Sequence, residues 1–234
     1  MRISTNDKLI ARQTKIARYA TFGGLALLLG SLVLSFNGAY IGPAYAALLA
    51  GFALAYFGSM LAHKWIREPR GDHALGKALK GFDNKHHLYN YLLPANHVLL
   101  GPAGLMIFRI KPHYGNVTYS KGKWQRPWQW TRLFGGMGQE PLGDPIRELS
   151  LDLLKMKQLI SSKIENVANV PIEGYVVFTD PRVRLSLDDS SISVVRAEEL
   201  KDTVRKNKRG IVLAPQLQDD LERILDETAN AKAA

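Results

Sequence analysis

Two uninterrupted apolar runs, Ala20 to Phe36 and Ile41 to Ala62, constrain this chain more than any other feature. Neither run holds a charged residue. An α-helix rises about 1.5 Å per residue, so roughly 20 predominantly apolar residues cross the hydrocarbon of a bilayer. The second run has that length outright, and the first reaches it once Ala17 to Tyr19 and Asn37 are counted. A helix lying on a soluble core keeps a polar stripe, and these runs have none. Only Asn37 to Tyr40 separate them. The sequence therefore predicts a transmembrane hairpin over 19–63, with helices at about 19–37 and 41–62 joined by a tight turn.

The flanks set the expected orientation. Lys8, Arg12, Lys15 and Arg18 precede the first run, Lys64, Arg67 and Arg70 follow the second, and the turn is uncharged. The positive-inside rule then puts both flanks in the cytosol. The expectation is a multi-pass protein of the cell (inner) membrane with both termini cytosolic and a basic N-terminal segment over 1–18. A cleaved signal peptide does not fit, because a second span follows instead of a soluble mature chain. Tyr19, Tyr40, Tyr45, Tyr56 and Trp65 fall near the expected interfaces, and Gly23, Gly24, Gly30, Gly51 and Gly58 would let the helices pack closely.

The formal net charge of +10 arises largely from this topology. Eight of the 31 Lys and Arg residues, but only two of the 21 Asp and Glu, precede Gly71. The remainder is mildly basic, a weak footprint for a polyanion partner. With no cysteine, disulfides and thiolate metal sites are excluded.

From Gly71 onward the pattern is that of one α/β unit. A short helix is expected around Asp72 to Lys80, then extended segments at His97–Leu100, Leu105–Lys111 and Asn116–Tyr119. Gly101-Pro102-Ala103-Gly104 is a turn signal pairing the first two as a hairpin. A loop rich in Trp, Arg and Gly runs from Lys123 to Gly143. Asp144 is an N-cap with Pro145 at the first helical position, opening a helix whose Leu149, Leu153, Met156 and Ile160 form one apolar face. Strands are expected at Gly174–Thr179 and Ile192–Val195, and helices at Glu198–Lys206 and about Pro215–Thr228. Strands alternating with crossover helices make an α/β sandwich the expected architecture.

The stretch Gly101-Pro102-Ala103-Gly104-Leu105-Met106-Ile107-Phe108-Arg109-Ile110-Lys111, preceded by Asn96-His97-Val98-Leu99-Leu100, resembles the central motif of the nuclease-related domain (NERD) family. There a strand bearing Ile-Asp-His leads through a Gly-Pro-x-Gly turn to a strand bearing Glu-x-Lys. Gly115, Trp124, the Asp144-Pro145 helix start and Gly71-Asp72 look like the rest of the family pattern. The resemblance covers roughly 71–205 and suggests a domain over 71–207, with 208–234 as a C-terminal helix and tail. It implies a restriction-endonuclease-like mixed-sheet sandwich behind the hairpin. In such nucleases the Asp and Glu hold a divalent metal through hard oxygens, and the metal activates water and polarises the phosphate. The Lys, two residues past the Glu and hence on the same strand face, stabilises the developing charge.

This chain departs at the two metal-binding positions, with Asn96 for Asp and Arg109 for Glu; Lys111 remains. No carboxylate lies between Asp83 and Glu140, so no shift of register supplies one. The implied reading is a catalytically inactive, membrane-anchored domain that works as a binding or scaffold module, with no metal and no cofactor. The alternatives are an active tethered nuclease drawing carboxylates from Asp72, Asp83 and Asp144, or an accessory subunit of a larger membrane complex. Arg109 and Lys111 either form a cationic pocket for phosphate or nucleic acid, or lie on a strand face with Arg109 paired to an acid across the sheet.

The loop around Trp124, Arg126, Trp128, Trp130 and Arg132 interleaves aromatics with arginine. Together with Trp65 it suits a membrane interface; the same residues suit base stacking, or packing back on the sheet. Expected partners are thus the lipid bilayer, a nucleic acid or phosphate ligand, and proteins of a membrane complex. His73, His86, His87, His97 and His113 follow no metal-site spacing, and His97 is expected to sit at a strand end against a backbone partner. The cations Lys201, Arg205, Lys206, Lys208 and Arg209 read as a solvated face, or as an attraction to anionic headgroups.

Overall fold

A computed structural model of the chain describes residues 1–127, 140–163, 170–188, 193–207 and 212–233. It divides into two units. Of the described residues, one unit is the hairpin, 7–70 together with 140–141, and the other joins 1–6 to 71–127 and those from 142 onward.

In the hairpin unit α1 runs Asp7–Ser35 and α2 runs Ile41–Trp65, joined by a single 3₁₀ turn at Gly38–Tyr40 that Asn37 caps through its side chain. Both helices are long and apolar enough to cross a membrane. They approach closely because small residues face each other. A Cβ on Gly24 would lie 2.4 Å from the Ala55 backbone nitrogen, and one on Gly58 2.5 Å from that of Thr21. The apolar side chains point outward instead. Phe22, Leu29, Val33, Leu49 and Phe52 are all more than half exposed. A surface of that kind is stable only when something apolar covers it.

The second unit begins with a strand that the sequence reading did not foresee. Residues Arg2–Thr5 form β1, which pairs in parallel with β2 (His87–Asn90). The main sheet adds β3 (His97–Gly101), β4 (Gly104–Lys111), β7 (Ile172–Phe178) and β9 (Val194–Arg196), in the order β1-β2-β3-β4-β7-β9. The pairs β2–β3 and β3–β4 are antiparallel, and the others are parallel. A smaller sheet has the order β6-β5-β8, from Lys123–Gln125, Gly115–Ser120 and Val183–Leu187. The β3–β4 turn needs its glycine: Gly104 has φ 114°, and a Cβ there would sit 2.3 Å from the Pro171 carbonyl oxygen.

Helices cover both faces of the main sheet. On one face α4 (Pro145–Ser161) and α6 (Pro215–Ala233) bury Leu149, Met156, Ile160, Leu221 and Leu225 against Val98, Leu100, Leu105 and Ile107. On the other, α3 (Gly71–Ala78) and α5 (Ala197–Asn207) bury Leu75, Leu200 and Val204 against Leu99, Met106 and Phe108. Successive residues of β3 and β4 thus alternate between two cores, as the pleat requires. The result is a mixed-sheet α/β sandwich, consistent with a nuclease-like fold. Of the expected strand at Ile192–Val195, residues up to 192 lie outside the described ones, and β9 starts at Val194.

Candidate functional site

The antiparallel register sets Val98 opposite Ile107. Arg109 and Lys111, two residues apart, share one face of β4, while Asn96 precedes β3 and lies beyond the last registered pair. Asn96 is half-buried, and its carbonyl accepts from the Tyr91 N–H at 2.6 Å, closing the β2–β3 connection.

What fills this face comes from α4. Its start is fixed by Asp144, whose side chain accepts from the Arg147 N–H at 3.1 Å, with Pro145 in the first turn. The next two acidic residues, Glu148 and Asp152, are one turn apart and both point at the sheet. Arg109 donates through Nε to Glu148 at 2.7 Å and through a terminal nitrogen to Asp152 at 3.2 Å. Lys111, 5% exposed, lies 2.8 Å from the same Glu148 oxygen and donates to the Leu142 carbonyl at 2.8 Å. Two cations and two carboxylates interlock, and the cluster carries no formal charge. Burial raises the Asp152 pKa above its ordinary value even though Arg109 pulls the other way. Arg109 is paired, as one sequence reading had it, but the acids come from the helix packed on the sheet and not from a neighbouring strand.

The guanidinium stands at the position where the resemblance to the nuclease-related motif expects a carboxylate. It satisfies Glu148 and Asp152 itself, so a divalent cation arriving there would meet two positive groups. The three carboxylates considered from sequence have other partners as well. Asp144 caps α4, Asp83 holds His86 at 2.6 Å, and Asp72 is buried in the first turn of α3, 3.7 Å from His73. Glu148 and Asp152 were missed. Their i, i+4 spacing was visible, but nothing in the sequence aims that stripe at Arg109.

The expected interface residues are not used alike. Trp124, on β6, is packed into the domain: its ring lies 5.0 Å from that of Tyr119 and 6.2 Å from that of Phe178. It cannot dip into headgroups without leaving the core, which corrects the interface reading for this residue. Arg126 is held by its own domain too, donating to the Tyr114 carbonyl at 3.0 Å and stacking over the Tyr114 ring. Trp65 ends α2 and is buried, with the Lys64 ammonium 5.9 Å from its ring centre. Trp128, Trp130 and Arg132 lie outside the described residues. His97 is buried at the start of β3 and bonds the Asn90 side chain at 2.8 Å, a side-chain partner where a backbone one was expected.

Residues 67–179 match a family model described as NERD, nuclease-related domain. The match spans α3, the β2–β4 meander with its Gly-Pro-Ala-Gly turn, the small sheet's β5 and β6, α4 and β7. No curated protein and no solved structure gives a significant match.

Proposed function

We propose that the chain, whose residues 67–179 match the nuclease-related domain model, is a membrane-anchored, catalytically inactive member of that family, serving as a binding or scaffold module at the cytosolic membrane face. The observation that carries this reading is Arg109. Its guanidinium lies 2.6 Å from Glu148 and 3.2 Å from Asp152, so the cleft is neutralised by protein charge and does not call for a metal. A buried carboxylate pair needs compensation by cations; a nuclease uses Mg²⁺ for this and then does chemistry with it, whereas a guanidinium compensates without activating water.

Anchoring is supported by the hairpin's outward apolar side chains, which suit lipid. Its orientation is supported by connectivity. The chain leaves the α/β unit after Asn6 and returns to it at Gly71, so the two ends of the hairpin lie on one side of any membrane it crosses. The basic flanks favour the cytosolic side.

One observation favours the rival, an active tethered nuclease: Glu148 brings a carboxylate to within 2.8 Å of Lys111. The two readings separate on the full chain purified in detergent, incubated with single- and double-stranded DNA and RNA in Mg²⁺ or Mn²⁺. The expected result is no divalent-dependent cleavage. Cleavage lost on Lys111→Ala and on Glu148→Gln would establish the rival. Partner proteins retained on the wild-type chain from mild detergent, and lost from a variant lacking residues 71–234, would support the scaffold role.

A further inference from the structure

Away from the nuclease-like cleft, a second polar cluster joins β1, β2 and α6. His87 on β2 is buried, and its ring nitrogens face opposite ways. Nε2 meets the Ser4 hydroxyl of β1 at 2.8 Å. Nδ1 faces α6, where it lies 3.2 Å from a Glu222 oxygen and 3.9 Å from an Asp226 oxygen. Glu222 and Asp226 are one helical turn apart, so both carboxylates project from one face of α6. Tyr89, two residues along β2, donates its hydroxyl to Asp226 at 2.6 Å. Arg2 is ion-paired with Glu222.

We infer that His87, Glu222 and Asp226 form a binding site for a borderline divalent cation, Zn²⁺ by preference, whose place on Glu222 the Arg2 guanidinium holds until the ion arrives. The three donor atoms lie within 4.8 Å of one another. Around a tetrahedral zinc with bonds of about 2.0–2.2 Å, neighbouring donors stand roughly 3.3–3.5 Å apart. The His87–Glu222 spacing already matches, and Asp226 stands about half an ångström too far from His87 and must also close on Glu222 from within 4.8 Å. The supporting contacts are those that metal ligands use. A ligating histidine is oriented by a partner on its other nitrogen, here Ser4, and a ligating carboxylate by a second donor, here Tyr89. The donor set selects the ion: an imidazole with two carboxylates suits zinc, while Mg²⁺ and Ca²⁺ take oxygen alone.

Arg2 is what makes the inference specific. Its side chain is 54% exposed and that of Asp226 44%, so the guanidinium can swing into solvent and water can reach a fourth coordination position. Exchange of one guanidinium for a dication turns a site with one excess negative charge into a neutral one. Occupancy would also stitch α6 to β2 at the position where β1 joins the sheet. This inference does not rest on the nuclease-like cleft.

The test is calorimetric titration of the metal-stripped full chain in detergent with Zn²⁺, for wild type and for variants checked for native helix content by circular dichroism. The expected outcome is one equivalent bound by the wild type, at least ten-fold weaker binding for Glu222→Gln and Asp226→Asn, and tighter binding for Arg2→Gln. Millimolar Mg²⁺ should not displace the zinc. No stoichiometric binding by the wild type overturns the inference. So does binding that Glu222→Gln and Asp226→Asn both leave unchanged, or weaker binding by Arg2→Gln.

Discussion

Asn96→Asp combined with Arg109→Glu inverts the charge of the cleft, and the structure gives the size of the consequence. In the wild type Arg109 neutralises Glu148 and Asp152, and its side chain is 26% exposed against 9% for Asp152. The double variant replaces that cation with a carboxylate beside Glu148, Asp152 and Lys111. Removing one partner of a buried ion pair costs about 3–5 kcal/mol; the partial exposure of Arg109 lowers that figure and the like charge of the new carboxylate raises it, so about 3 kcal/mol is the minimum expected. For a chain of this size each 1 kcal/mol shifts the melting temperature by about 2–4 °C, so the metal-free variant should melt at least roughly 6–12 °C below wild type. The new carboxylate in place of Arg109, with Glu148 and Asp152, supplies hard oxygen ligands beside a lysine, and the one in place of Asn96 is a further candidate. A bound ion at one hundred times its Kd returns about 2.7 kcal/mol, nearly the whole of that minimum. The assay is thermal unfolding in detergent, followed by intrinsic fluorescence, with and without Mg²⁺, an ion for which the His87 site is unsuited. The variant should regain most of its lost stability in Mg²⁺ while the wild type does not respond. A variant that stays destabilised in Mg²⁺ would mean that the cleft does not have metal-site geometry. A wild-type rise abolished by Glu148→Gln would mean that Arg109 does not exclude the ion.

Three further outcomes follow from the same contacts. Single cysteines at Lys8 and at Lys232, introduced into a chain that has none, should both escape a membrane-impermeant thiol reagent in intact cells; labelling of either one refutes the shared cytosolic side. Burial raises the folded-state pKa of Asp152 above its ordinary 3.8, so the folded protein holds a proton that the unfolded chain releases between the two values. Stability should therefore rise as pH falls through the raised value and level off below the ordinary one; Asp152→Asn should lack this rise, and parallel urea-midpoint profiles for the two proteins would refute it. Gly58→Val places a side chain 2.5 Å from the Thr21 backbone nitrogen and should cost the hairpin about 1–3 kcal/mol by overpacking, read as a lower melting temperature in detergent; unchanged melting would mean that the helices do not pack through this face.

The hairpin and the middle of the α/β unit were legible because each rests on a strong local signal. Uninterrupted apolar runs mark α1 and α2, the Gly-Pro-Ala-Gly turn marks β3–β4, and Asp144-Pro145 marks the start of α4. The strands that escaped are short, and most of them lack such a signal. Arg2–Thr5 reads as part of a basic arm, because only the pairing with His87–Asn90 makes it a strand. His87–Asn90 itself begins with a histidine and ends with an asparagine. Val183–Leu187 does alternate apolar and polar residues, so that signal was present and overlooked. In the cleft, the departure at Asn96 and Arg109 was readable from the motif, and its local consequence was not. Which carboxylates neutralise Arg109 depends on how α4 lies on the sheet, some forty positions away in the chain. The His87 cluster is less accessible still, since Glu222 lies 135 residues from its partner and no local spacing announces the pair.

The first strand has a consequence for how the protein is made. Ser4 and His87, bonded across β1 and β2, are 83 residues apart, and both long apolar helices are synthesised between them. β1 therefore leaves the ribosome long before it has a partner and must wait while the hairpin is made. If the hairpin goes in with its leading end retained, the waiting strand meets β2 and completes the sheet. If the leading end is translocated, strand and sheet are on opposite sides of the bilayer, and β2 keeps a bare edge of unpaired amides open to other chains. Closure of this edge would therefore depend on how the hairpin is threaded.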